Sequence, residues 1–130
     1  MVRIDTQLAV FLENRPGMLA RVCQALAKAK VNIVALSILD TVDHAIIRMV
    51  VDQPKEAERV LGQLAAVIQR RDVVFLDVPN EVGALARITQ CLAEAGINLE
   101  YAYCAGSTSG SPGGLVLRTN DLEATINALS

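Results

Sequence analysis

The sequence predicts an α+β fold built twice over. It reads as two βαββαβ units, each an antiparallel sheet with helices on one face, the second lacking its last strand. Three observations predict this. The chain has 130 residues, 52% of them hydrophobic, which excludes wholesale disorder and allows one ordinary domain or two very small ones. A shift of 66 residues lays 14–32 over 80–98 with ten of nineteen positions identical, where chance gives about one. Within each unit, of about 65 residues, apolar periodicity alternates between strand and helix patterns. The expected domains are 1–70 and 71–130.

Each element has a local reason. A first strand is expected at Gln7–Leu12, with its copy at Val73–Val78, each running into a turn that carries Gly17 or Gly83. The following helix places Leu19, Val22, Cys23, Leu26 and Ala27 on one stripe, with Arg21, Gln24 and Lys28 opposite. The second copy repeats the stripe as Leu85, Ile88, Leu92 and Ala93. Two β-rich stretches, Val31–Leu39 and Ala45–Val51, flank the turn residues Asp40–His44. A second helix over Pro54–Leu64 opens with proline and acidic residues, as helix starts do. A short strand near Ala66–Gln69 closes the first unit. In the second unit Asp121–Ala128 reads as the second helix, and no residues remain for a closing strand.

Two helices cover one face of each sheet, yet both faces of Ala45–Val51 are largely apolar. The second face therefore calls for cover, from unit packing or from a second chain. A homodimer or larger assembly is expected, the more so because the edge left by the missing strand needs a neighbour.

Charge and composition exclude several function classes. Twelve Lys+Arg against fourteen Asp+Glu give net −2, the wrong balance for a nucleic-acid binder held by phosphates. Phe11, Phe75, Tyr101 and Tyr103 are too few aromatics for a base-stacking platform. No apolar run approaches the roughly 20 residues of a membrane span. Arg3 and Asp5 stand where an export signal needs apolar residues, so a cytoplasmic location is expected. Three cysteines without paired spacing fit a reducing compartment.

Catalysis finds no support. His44 is the sole histidine, too little for a metal site or a Cys–His dyad, and it reads as solvent-facing. Cys23 and Cys91 lie on or near apolar helix stripes, and Cys104 has no base nearby in sequence. No carboxylate pair recurs between the copies. The glycine-rich hairpin Ala105–Gly114 lacks the GxxxxGK[ST] pattern and precedes no helix, so it is no phosphate loop. The reading is of a non-enzyme with no cofactor and no metal.

The strand–turn–helix junction is the candidate site. Pro16 suits the first helical turn and Gly17 lets another molecule approach the backbone. Free N–H groups at a helix start suit a carboxylate. Asn14 offers a donor and an acceptor, and Asn32 begins the next strand. The alternative is that Asn14 and Asn80 cap helices while Asn32 and Asn98 form turns.

The run Asn14-Arg15-Pro16-Gly17-Met18-Leu19, followed by Val31-Asn32-Ile33, resembles the ACT domain, a ferredoxin-like ligand-binding module of amino-acid metabolism. The resemblance covers nearly the whole chain, twice, with no catalytic domain attached. It implies regulatory binding of an amino acid at interfaces between units, and a partner enzyme or regulator. The implied ligand positions are Asn14, Arg15, Gly17, Met18 and Asn32, and by the repeat Asn80, Gly83, Ala84 and Asn98. Serine-binding members of the family carry a histidine two residues before the turn asparagine. Leu12 and Val78 stand there, which points to a more apolar ligand. Glu81 and Val82 replace Arg15 and Pro16, making the second turn less anion-friendly. Arg48 and Arg118, at similar places on the third strands, are further candidates for a carboxylate. The competing reading is a structural subunit that dimerises and modulates an enzyme without binding a metabolite.

Overall fold

The computed structural model describes residues 2–41, 43–64, 67–105 and 112–130. The elements run β1 (Val2–Glu13), α1 (Met18–Lys28), β2 (Ile33–Asp40), β3 (His44–Val51), α2 (Pro54–Gly62), β4 (Val67–Pro79), α3 (Ala84–Glu94), β5 (Leu99–Cys104), β6 (Pro112–Thr119) and α4 (Leu122–Leu129). Each unit is an α+β structure in which β1 and β3, β2 and β3, β4 and β6, and β5 and β6 pair antiparallel.

Two strands are longer than the apolar pattern indicates. β1 begins at Val2, and β4 runs unbroken across the repeat boundary through Arg70-Arg71-Asp72. The polar residues hid the continuity, but neither Arg70 nor Arg71 is a turn former, and Asp72 alone does not stop the strand. Ala66, expected at the head of the closing strand, lies outside the described residues.

The chain forms two compact units. One compact unit is Thr6–Arg71; the other joins Asp72–Ser130 to the N-terminal residues through Asp5. In the first the strand order is β2-β3-β1-β4, and in the second β1-β4-β6-β5. In the second unit β1 lies beside β4, at the place of the closing strand. The start of β1 belongs there: Val2 packs against that unit's core, and the Arg3 guanidinium lies 4.3 Å from the centre of the Phe75 ring.

Each unit has its own core. Leu8, Val10 and Leu12 of β1 and Ile47, Met49 and Val51 of β3 face Val22, Leu26, Ala57 and Leu61 of the helices. In the other unit Val74, Leu76, Leu115 and Leu117 meet Leu92 and Ile97, with Leu122, Ile126 and Leu129 of α4 against them. The period of two puts alternate residues on the second face, where Ala9, Val50, Val73 and Val116 are also buried.

Register exposes what a linear shift cannot. Ile33 and Leu99 open β2 and β5, 66 residues apart, but their partners Val51 and Thr119 are 68 apart. The second hairpin therefore holds two extra residues; 106–111 of it lie outside the described residues. Beyond it Arg48 corresponds to Val116 and Arg118 to Val50, so the two arginines are not equivalents. Arg118 NH1 donates instead to the Asp72 carbonyl at 2.7 Å. Equivalent register shifts fall between Ile33 and Ala35 and between Leu99 and Tyr101. Such bulges on outer strands discourage edge-to-edge pairing.

Candidate functional site

The turn glycines are demanded by backbone conformation. Gly17 and Gly83 are the N-caps of α1 and α3, both with φ of 86°. A side chain is disfavoured in this left-handed region whatever surrounds it. At Gly17 a Cβ would meet nothing within 4 Å, so crowding is not the reason. Pro16 stands just before the N-cap, outside the first helical turn where the sequence pattern placed it.

Neither turn asparagine caps a helix. Asn14 is tied to the β2–β3 turn: its backbone N–H donates to the Asp43 carbonyl (3.1 Å), and Nδ2 donates to Asp40 Oδ1 (2.5 Å). Asn80 is exposed and its side chain has no partner among the described residues. Asn32 and Asn98 sit at the far end of their sheets. Their main chains make the turn: the Asn32 N–H donates to Asp52 Oδ1 (2.9 Å), and the Asn98 N–H to Asn120 Oδ1 (3.0 Å). Their side-chain amides have no partner among the described residues.

Register fixes the separation. Asn14 follows Glu13, which pairs with His44 at the start of β3; Asn32 precedes Ile33, which pairs with Val51 at its end. Eight residues of strand put the two asparagines about 25 Å apart. No unit by itself brings Asn14 and Asn32 to one small ligand, and the same holds for Asn80 and Asn98.

Each junction instead opens a cavity within its own unit. In the first, Leu12, Glu13, Arg15, Met18, Arg21 and His44 are among the residues lining about 690 Å³. In the second, Val78, Asn80, Glu81, Ala84, Leu85 and Leu115 are among those lining about 410 Å³. The pairs Leu12/Val78, Arg15/Glu81 and Met18/Ala84 are repeat equivalents, so the cavities occupy the same place in the two units. The candidate residues thus fall into three groups. Arg15, Met18, Asn80 and Ala84 line cavities. Asn14, Gly17 and Gly83 lie in the same turns without lining them, while Asn32 and Asn98 stand remote.

Sequence reasoning missed several lining residues. His44, read as a solvent-facing turn residue, is exposed but opens β3 and lines the first cavity. Cys104 and Gly114 of the second are brought in by the β5–β6 pairing. Cys91 is exposed, not part of a core stripe. Among the described residues no group of His, Cys, Asp or Glu has the arrangement to hold a metal ion, and no helix is long and apolar enough to cross a membrane.

The family model for the ACT domain pair matches residues 3–129. Among solved structures, protein BT0572 from Bacteroides thetaiotaomicron is similar at 32% identity with a TM-score of 0.90, over 98% of this chain and 88% of that one. The regulatory subunit of aspartate kinase from Thermus thermophilus shares the fold, with 19% identity and a TM-score of 0.73, over 99% of this chain and 95% of that one. The corresponding subunit from Thermus flavus gives 22% and 0.68, over 98% and 94%. No curated protein matches the sequence significantly.

Proposed function

The chain belongs to the ACT domain pair family, and from that premise we propose that it is a non-catalytic regulatory protein that binds amino acids at its two strand–turn–helix junctions. The observation that carries this reading is the pair of cavities at repeat-equivalent turns. A duplicated fold need not duplicate a cavity, and each here is lined by two of the residues that the family resemblance nominates, Arg15 and Met18 in the first and Asn80 and Ala84 in the second. That the same fold serves as the regulatory subunit of an aspartate kinase in Thermus supports a regulatory role, with a biosynthetic enzyme as partner.

The asparagines at the far ends of the sheets enter through assembly. Asn32 and Asn98 keep their side-chain amides uncommitted while their main chains make the turns. A second copy of the chain that brings such an end to a turn completes a site that one unit leaves half built. A self-associating chain is supported by the exposed apolar side chains of β2, Leu36, Ile38 and Leu39, rather than by pairing along its edge. A ligand shared this way binds one arrangement better than another, which is what regulation requires. The competing structural-subunit reading draws on Asn14, whose amide is already engaged by Asp40.

A thermal-shift screen against the twenty amino acids tests the reading. An amino acid at a hundred times its dissociation constant stabilises by about 2.7 kcal/mol. Asn14→Ala and Asn98→Ala are each expected to weaken the response. Silence from every amino acid at millimolar concentration promotes the structural-subunit reading.

A further inference from the structure

The two cavities stand on the same scaffold but differ in charge, and one repeat position decides it. Arg21 and Arg87 are equivalents, one turn into α1 and α3. In the second unit Glu81 Oε1 accepts from Arg87 NH2 at 2.7 Å, so the arginine is neutralised at the cavity's rim. The first unit has Arg15 where the second has Glu81. Arg15 Nε donates to Glu13 Oε2 at 2.9 Å, which consumes the carboxylate on that side. Arg21 is left with no side-chain partner among the described residues, and it lines the cavity. Counting Glu13, Arg15 and Arg21, the first cavity carries one positive charge in excess. The second holds Glu81 balanced by Arg87, and Val78, Pro79, Ala84, Leu85 and Leu115 make the rest of its wall largely apolar.

Resting on the amino-acid reading of these turns, we propose that the cavities divide ligands by side-chain charge. The first takes an acidic amino acid, whose side-chain carboxylate meets Arg21. The second takes an amino acid with an uncharged aliphatic side chain, which lies against Leu85 and Leu115. A dicarboxylate in the second cavity finds no uncompensated cation, and desolvating it there is unfavourable. An aliphatic ligand in the first offers no side-chain carboxylate to Arg21 and gains only the contacts of Met18 and Leu12.

Methyl-labelled full-length protein reports both cavities at once, through Met18 in one and Leu85 and Leu115 in the other. L-glutamate and L-aspartate are expected to shift the Met18 methyl and leave the two leucines still, and L-leucine and L-valine the reverse. Arg15→Glu installs the second unit's arrangement, a carboxylate able to pair with Arg21. It is expected to weaken glutamate binding roughly tenfold or more, the loss of one charge-assisted hydrogen bond. Glu81→Arg frees Arg87 and is expected to make Leu85 respond to glutamate. Both positions are more than half exposed, so neither change threatens the fold. Glutamate that shifts Leu85 and Leu115 in the unaltered protein as strongly as Met18, or binds Arg15→Glu undiminished, overturns the division by charge alone. If none of the four amino acids moves any of these methyls, the amino-acid reading of the turns falls, and this proposal with it.

Discussion

The two repeats solve one packing problem in opposite ways. On the second face of the first sheet, Ala9 of β1 lies near Ile46 of β3, the residue pairing with Phe11. Their counterparts by register are Phe75 and Gly114, the latter pairing with Asp77. Small beside large has become large beside nothing. The Phe75 ring occupies the space over Gly114, where any Cβ would collide with its Cζ. Arg3, from the N-terminal stretch that this unit recruits, lies over the same ring. A duplicated backbone conserves the combined volume of a pair, while either member of it is free to change.

Phe75→Ala is the largest break in that comparison. The ring is 5% exposed, and its loss is expected to cost about 3–5 kcal/mol by chemical denaturation. Gly114→Ala comes next, at about 1–3 kcal/mol of overpacking. The informative measurement is the double variant. With the ring gone, alanine at 114 fills part of the void, so the cost of the second change is expected to shrink or reverse sign. Strict additivity of the two contradicts the packing account.

Gly17→Ala and Gly83→Ala sharpen the comparison from the other side. Both residues share the same left-handed φ, so each is expected to cost about 1 kcal/mol of conformational strain. The cost is predicted to be nearly equal in the two units, because a Cβ at 17 meets nothing and one at 83 only the movable end of Arg87. Near-equal shifts in thermal midpoint are the expected outcome. A much larger loss at one glycine contradicts a purely conformational origin.

What the sequence made legible follows from which physics is local. The 66-residue offset carried the helices, the turn glycines and the first strands, because stripe periodicity and a left-handed N-cap are properties of short windows. It located the junctions where both cavities open. It failed at the ends of β1 and β4, where Arg3, Asp5 and Arg70-Arg71-Asp72 interrupt the apolar pattern without stopping the strand. Recruitment of the N-terminal stretch by the second unit is a long-range pairing that no window contains. Arg48 and Arg118 looked equivalent for the same reason, since two residues added in a hairpin move every later register by a full strand period. Asn14 and Asn32 flank one helix in the sequence, yet a strand's length separates them in space. The partners of Arg21 and Arg87 were likewise invisible, for they depend on side chains meeting around a turn.

The smallest expected effect tests whether the second repeat is locally better made than the first. Two residues past the ends of α1 and α3 stands a left-handed residue, Lys30 with φ of 60° and its equivalent Gly96 with φ of 71°. Lysine in that region carries a steric penalty of about 1–2 kcal/mol, because its Cβ crowds the following carbonyl. Glycine escapes the penalty but surrenders roughly 0.5–1 kcal/mol of extra freedom in the unfolded chain. The difference favours glycine, so Lys30→Gly is expected to stabilise by about 0.5–1 kcal/mol. Gly96→Lys is expected to destabilise by a similar amount. The hydrogen bond from Gln53 Nε2 reaches the carbonyl of Lys30, not its side chain, and survives the change. Denaturant midpoints that move in opposite directions for the two variants support the assignment. If Lys30→Gly instead loses stability, the lysine side chain makes a contribution at this cap that outweighs its strain.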